Sequence, residues 1–109
     1  MFESINPATG EVIAKYERMS DDDVERCLAR ARATFGSWRE TTFEHRAGLM
    51  RNVGAVLLER RDELARLMTL EMGKPIGQAR AEVEKCSWAC DYFAENAERF
   101  LAPQVIETD

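Results

Sequence analysis

The segment from Ala79 to Ala97 constrains this chain more than any other. Ala79, Val83, Cys86, Cys90, Phe93 and Ala97 follow one another at intervals of four, three, four, three and four residues. That alternation is the period of one face of an α-helix. The spacing predicts a helix with a narrow buried seam. Small residues dominate the seam, so a neighbouring helix or sheet is expected to approach closely. The stretch "AENAERFLA" either continues this helix or opens a short separate one. Pro103 ends the helical region, and "QVIETD" reads as extended.

The preceding segments fit the same mainly α architecture. "MSDDDVERCLARARATFGSW" opens on Ser20, a good N-cap. The carboxylates of Asp21, Asp22 and Asp23 follow, at the positive end of the helix dipole. Val24, Cys27, Leu28, Ala31 and Phe35 recur at helical spacing, and Gly36 is the expected stop. Thr42 is a second candidate cap. Met50, Val53, Leu57, Leu64, Leu67 and Met68 can line one side of the region it opens. Their phase shifts near "ERRDEL", so the region is either one bent helix or two helices with a tight break. Gly48 and Gly54 each weaken the first half by about 1 kcal/mol relative to Ala. Such glycines persist where a neighbour packs close. The N-terminal "SI", "NPATGE" and "VIAKYE" read as a β-hairpin. Pro7 and Gly10 supply the turn, and Val12, Ala14 and Tyr16 alternate as a half-buried strand. A lone hairpin is marginal, so it must lean on another element. The fold class is therefore a hairpin followed by three or four amphipathic helices.

Chemistry is harder to find. In "TLEMGKPIGQARAEV" the Gly73–Lys74 pair suggests a phosphate loop. That loop needs a glycine five residues before Gly73 and Ser or Thr after the lysine. Met68 and Pro75 stand there instead. The local reading makes Gly73 a helix C′ residue and Pro75 the opening of the next helix. Lys74 would then lie beside terminal carbonyls. Glu71 sits near the negative helix end and needs a backbone or basic partner.

No glycine-rich G-x-G-x-x-G turn follows a strand. Cys27, Cys86 and Cys90 read as core packing, since free Cys behaves as a small buried hydrophobe. With His45 as the only histidine, a mixed zinc site is thin. His45 itself reads as a surface or first-turn residue. Asp21 to Asp23 point in different directions on a helix, so capping explains them. Trp38, Trp88, Tyr92 and Phe93 read as core or interface aromatics. The chain carries 15 Lys+Arg against 20 Asp+Glu, a formal net charge of −5. That balance, with basic residues interleaved among acids, disfavours nucleic acid as a partner. No run is apolar enough for a membrane span, and "MFESINPATG" lacks signal-peptide character. A cytoplasmic location with reduced thiols is the expectation.

In order along the chain, "INPATGEVIA", "TLEMGKP", the following A-x-x-E-V and "YFAENAERFL" resemble the start of an aldehyde dehydrogenase. Each motif is weak alone; the ordered set is specific. "MTLEMGKP" with "YFAENAE" is most similar to the succinate-semialdehyde dehydrogenase branch. The resemblance implies the leading part of a larger α/β fold, with residues 1–109 an incomplete portion of the cofactor-binding domain. It implies oxidation of an aldehyde to an acid by NAD or NADP in the complete enzyme. The family's cysteine nucleophile, glutamate base and oxyanion-holding asparagine do not map onto this chain. The asparagine's "PWNFP"-type motif is expected soon after Asp109, and the others later. None of Cys27, Cys86 or Cys90 matches the catalytic cysteine. No catalytic, cofactor-binding or metal-binding residue is therefore assigned, and the piece is expected to be inert alone and to bind no cofactor. The resemblance has these helices packing on the cofactor-binding domain and the strands near the oligomeric assembly. In some members the final helix runs toward the substrate entrance, which would put Trp88 and Tyr92 near its border without making either a site residue. The rival reading is a stand-alone helical interaction module, motivated by the small-residue seam. The expected partner is the rest of a dehydrogenase subunit or a second copy of the chain.

Overall fold

In the computed structural model, which describes residues 1–108, two short strands precede four helices. Strands β1 (Phe2–Ile5) and β2 (Val12–Tyr16) pair antiparallel, with Phe2 opposite Tyr16 and Ser4 opposite Ala14. The register is interrupted between Ser4 and Ile5. Asn6 closes the turn by accepting from Ala8 N–H at 2.9 Å, and Gly10 adopts φ +76°. Of the alternating set on β2, only Ala14 is half-buried; Val12 and Tyr16 stay exposed. The hairpin meets the helices through Ser4 of β1 and Pro7 of the turn.

Helix α1 (Asp21–Trp38) is capped as expected, with Ser20 Oγ accepting from Asp23 N–H at 3.1 Å. Gly36 is not the stop. The helix runs through it to Trp38, and Arg39 closes it in the right-handed region. Gly36 has a negative φ, so it never supplies the left-handed turn a glycine stop requires. Helix α2 (Phe43–Glu59) begins under Thr42, whose Oγ1 accepts from His45 N–H at 3.1 Å. The break at "ERRDEL" is real. Arg60, at φ −96° and ψ 15°, separates α2 from α3 (Arg61–Met72). Gly73 ends α3 at φ +70°, donating to Thr69 O at 3.0 Å. Pro75 stands one place before α4 (Ile76–Phe100), which continues unbroken through "AENAERF". Gln104 to Thr108 carry no regular structure, and Asp109 of the "QVIETD" stretch lies outside the described residues.

The tertiary packing is α2 and α3 against α4. Its buried line differs from the expected seam. Ala79, Val83 and Ser87 are buried and Cys90, Ala94 and Ala97 half-buried, whereas Cys86 and Phe93 are exposed. The line follows i, i+4 through its first three residues, which rotates it one position away from Cys86. On α2 the equivalent correction moves the contact from Val53, which is exposed, to the buried Gly54. Ala65 on α3 is fully buried, while Leu67 is exposed and Leu64 and Met68 are half-buried. The close approach is thus set by Gly54, Ala65, Ala79 and Ser87. A Cβ on Gly54 would lie 3.3 Å from both Cys90 Cβ and Ser87 O. Ser87 Oγ donates to Gly54 O at 2.9 Å. Gly48 meets nothing within 4 Å, so packing explains Gly54 alone.

Among the described residues the buried apolar side chains are Ala65, Ala79 and Val83, all small or medium. Helix α1 buries none. The radius of gyration is 19.5 Å, against about 13 Å for a compact domain of this length. The accessible surface is 9199 Å², where a folded monomer of this mass has about 6,100 Å².

Candidate functional site

The Gly-Lys junction is where two of the motifs meet. Pro7, from "NPATGE", comes to rest beside Gly73, from "TLEMGKP". A Cβ on Gly73 would lie 3.2 Å from Pro7 Cγ. Ser4 Oγ donates to Glu71 Oε1 at 2.7 Å. Glu71 therefore finds its partner in a hydroxyl from the hairpin, not in backbone or a basic side chain. Two segments 67 residues apart at Ser4 and Glu71 fix each other: the left-handed Gly73 admits the Pro7 ring, and the Glu71 carboxylate holds the strand beside it. Lys74 forms an ion pair with Glu82 in the second turn of α4. A dinucleotide phosphate needs an open glycine turn facing helix N–H groups. The Pro7 ring fills this one, so the junction does not fit a nucleotide. It is a structural clasp.

Charged pairs tie α3 to α4 on the solvent side. Arg61 Nη1 donates to Glu84 Oε1 at 2.8 Å, and Arg80 Nε to Asp62 Oδ1 at 2.9 Å. The Arg80 hydrogen bond holds the Asp62 carboxyl below its ordinary range, and Glu84 raises Arg61. Arg60 lowers Glu63 in the same way. Asp23 is lowered by the Ser20 hydroxyl first and by Arg26 second. All are solvated groups in structural roles, and none is perturbed as a buried catalytic acid would be.

The cysteines depart from the core reading. Cys27 and Cys86 are exposed, and Cys90 is half-buried against Gly54. Cys27 is exposed because α1 buries none of its residues; Cys86 is exposed because the buried line passes beside it. The three do not converge. Among the described residues no group of three or more His, Cys, Asp or Glu side chains is placed to hold a metal ion. Ser20 caps α1, with Asp21 to Asp23 in its first turn. His45 stands in the first turn of α2, its ring edge-on to Trp38 at 6.4 Å. No helix among the described residues is long and apolar enough to cross a membrane.

A hollow of about 740 Å³ lies between the end of α1, the start of α2 and the end of α4. Phe35, Trp38, Phe43, Met50, Phe93 and Leu101 supply its apolar wall. The Arg46 guanidinium lies 4.7 Å from the Phe43 ring centre and donates to Thr41 Oγ1 at 3.2 Å. Trp88 stacks on Tyr92 at 5.6 Å, and Tyr92 meets Phe93 edge-on at 5.4 Å. This aromatic run is exposed, with Trp88 at 63%. The hollow brings Trp38 and Phe93 together and leaves Trp88 outside. Nothing in the sequence marked Ser4 or Ser87. Ser87 lies one residue off the seam that the spacing suggested.

The aldehyde dehydrogenase family model matches residues 1–109. The chain is 45% identical over 106 residues to the succinate semialdehyde dehydrogenase Sad of Escherichia coli, covering 95% of this chain and 23% of the relative. It is equally identical to a probable NADP-dependent succinate-semialdehyde dehydrogenase of Synechocystis, again over 23% of that protein. Its fold matches succinic semialdehyde dehydrogenase from Streptococcus pyogenes, solved with NADP+, at a TM-score of 0.92 and 34% identity. That match covers 100% of this chain and 24% of the other. The chain thus spans about a quarter of the relatives it matches, and it corresponds to the N-terminal part of succinate-semialdehyde dehydrogenases. The family model runs the length of the sequence, and the chain belongs to the aldehyde dehydrogenase family.

Proposed function

We propose that residues 1–109 serve as the leading part of the cofactor-binding domain of a subunit that oxidises succinate semialdehyde to the acid. The observation that carries this reading is the fit of the whole chain, α1 included, on one quarter of an NADP-bound succinic semialdehyde dehydrogenase. The named relatives favour NADP as the acceptor, whose nicotinamide would take the aldehyde hydride. The chain's own contribution is framework. The Gly54–Ser87 contact sets the spacing of α2 and α4, and the Pro7–Gly73 clasp fixes the hairpin against α3. The nucleophile, base and nucleotide cradle belong to parts of the subunit that these residues do not supply. A self-sufficient interaction module would need a core of its own, and Ala65, Ala79 and Val83 are a small one.

The test is a chimera. Residues 1–108 replace the matching quarter of the Escherichia coli relative, and NADP reduction is followed with succinate semialdehyde and with other aldehydes. The expected chimera retains activity and the preference for succinate semialdehyde, while the 109-residue chain alone reduces no cofactor. A folded chimera without that activity, or turnover by the chain alone, rejects the reading.

A further inference from the structure

Cys86 and Cys90 stand four places apart on α4, neighbours on one side of the helix. Both are free thiols; Cys86 is exposed and Cys90 half-buried. We infer that this pair is a dithiol site for trivalent arsenicals, soft electrophiles that take two sulfurs at once. The site lies within this chain and does not depend on the functional reading above.

The helix decides what the pair can bind. Positions i and i+4 hold their Cβ atoms about 5–6 Å apart. Every Cα–Cβ bond tilts toward the helix N-terminus, so the Cys90 side chain leans toward the turn that carries Cys86. A disulfide needs the two Cβ atoms at about 3.5–4.5 Å, which this turn reaches only by unwinding. A third atom held between the sulfurs supplies the missing span. The surroundings narrow the choice further. A Cβ built on Gly54 lies 3.3 Å from Cys90 Cβ, so α2 passes close beside this thiol and limits its freedom. Cys86 borders a hollow shared with Lys74, Gln78 and Glu82, where a substituent on the bridging atom has room. A zinc ion wants four ligands. Among the described residues no group of three or more His, Cys, Asp or Glu side chains is placed around a metal ion. Trivalent arsenic that carries one organic group needs two sulfurs and no more. With phenylarsine oxide the two thiol protons leave with the arsenic-bound oxygen as one water. Two As–S bonds form, arsenic stays trivalent, and no oxidant or reductant is consumed.

The experiment titrates the reduced 109-residue chain with phenylarsine oxide. Intact mass gives the stoichiometry, and the concentration of 2,3-dimercaptopropanol that strips the group gives the affinity. One phenylarsenic group per chain is expected for the native sequence and for Cys27→Ser alike, with helical circular dichroism unchanged. In the Cys27→Ser background, Cys86→Ser and Cys90→Ser each leave one thiol. Each should weaken binding roughly 100-fold or more, because the second As–S bond forms at high effective concentration. Cys90→Ser combined with Asp91→Cys, in the same background, keeps two thiols but turns them about 140° apart on the helix. It should bind as weakly as a single thiol. In an unfolded chain, spacings of four and five close almost equally. Equal binding by the two pairs overturns the inference. So does full binding by either single-thiol variant, or the lack of a one-to-one adduct.

Discussion

Replacing Gly54 with alanine tests what holds α2 against α4. In an exposed helix interior, Gly→Ala adds about 1 kcal/mol by reducing the freedom of the unfolded chain. At Gly54 the added methyl would sit 3.3 Å from Cys90 Cβ and from the Ser87 carbonyl oxygen. Optimal carbon contacts lie near 3.5–4.0 Å, so the neighbours must give way. The Ser87 oxygen is main chain and cannot swing aside. Separating the helices would also stretch the Ser87–Gly54 hydrogen bond of 2.9 Å, a contact worth about 1 kcal/mol. Overpacking of this kind costs about 1–3 kcal/mol. Gly48, on the same helix with no atom within 4 Å, is the internal control. Both substitutions carry the same propensity gain, so the difference between them isolates packing. Gly48→Ala should stabilise by about 1 kcal/mol, and Gly54→Ala should fall below it by about 1–3 kcal/mol. Urea unfolding followed by far-ultraviolet circular dichroism measures both. If Gly54→Ala stabilises as much as Gly48→Ala, the close approach does not govern this interface.

Further outcomes follow from the clasp, the cap and the ion pairs. Gly73→Ala forces a side chain into φ +70° and toward Pro7, and should cost about 1–2 kcal/mol from backbone strain alone, read as a lower melting temperature. Ser4→Ala should leave helix content unchanged while amide exchange in the hairpin accelerates, because Glu71 no longer holds it. Ser20→Ala removes the N-cap of α1 and should lower its helicity by an amount equivalent to about 1 kcal/mol. The Asp62 carboxyl is depressed by Arg80, so its contribution is present above the ordinary carboxylate pKa and is lost as pH falls through the lowered value. Arg80→Ala should move the Asp62 titration, followed by NMR, back up toward the ordinary range; an unmoved midpoint would show that the pair does not form in solution.

The local elements were legible in the sequence because their causes are local. Ser20 and Thr42 cap as their side-chain chemistry dictates, Arg60 breaks the helix where the apolar phase shifts, and Gly73 turns left-handed at the Gly-Lys pair. The ordered motifs, too, carried the family. What spacing could not resolve was the rotation of each helix about its axis. The expected seam ran through Cys86 and Val53, whereas the packed one runs through Ser87 and Gly54. A helical period tolerates a shift of one residue, and only the opposing helix decides which side it meets. The expectation of a buried Cys27 failed for a related reason: the stripe of α1 is left uncovered, and the helix buries none of its residues. The meeting of Ser4 with Glu71 and of Pro7 with Gly73 is likewise a tertiary fact. Sequence alone determined where helices start, break and turn, since those choices rest on side-chain bonds to nearby backbone. Tertiary structure decided which faces are covered, because burial depends on a second surface that a local pattern does not contain.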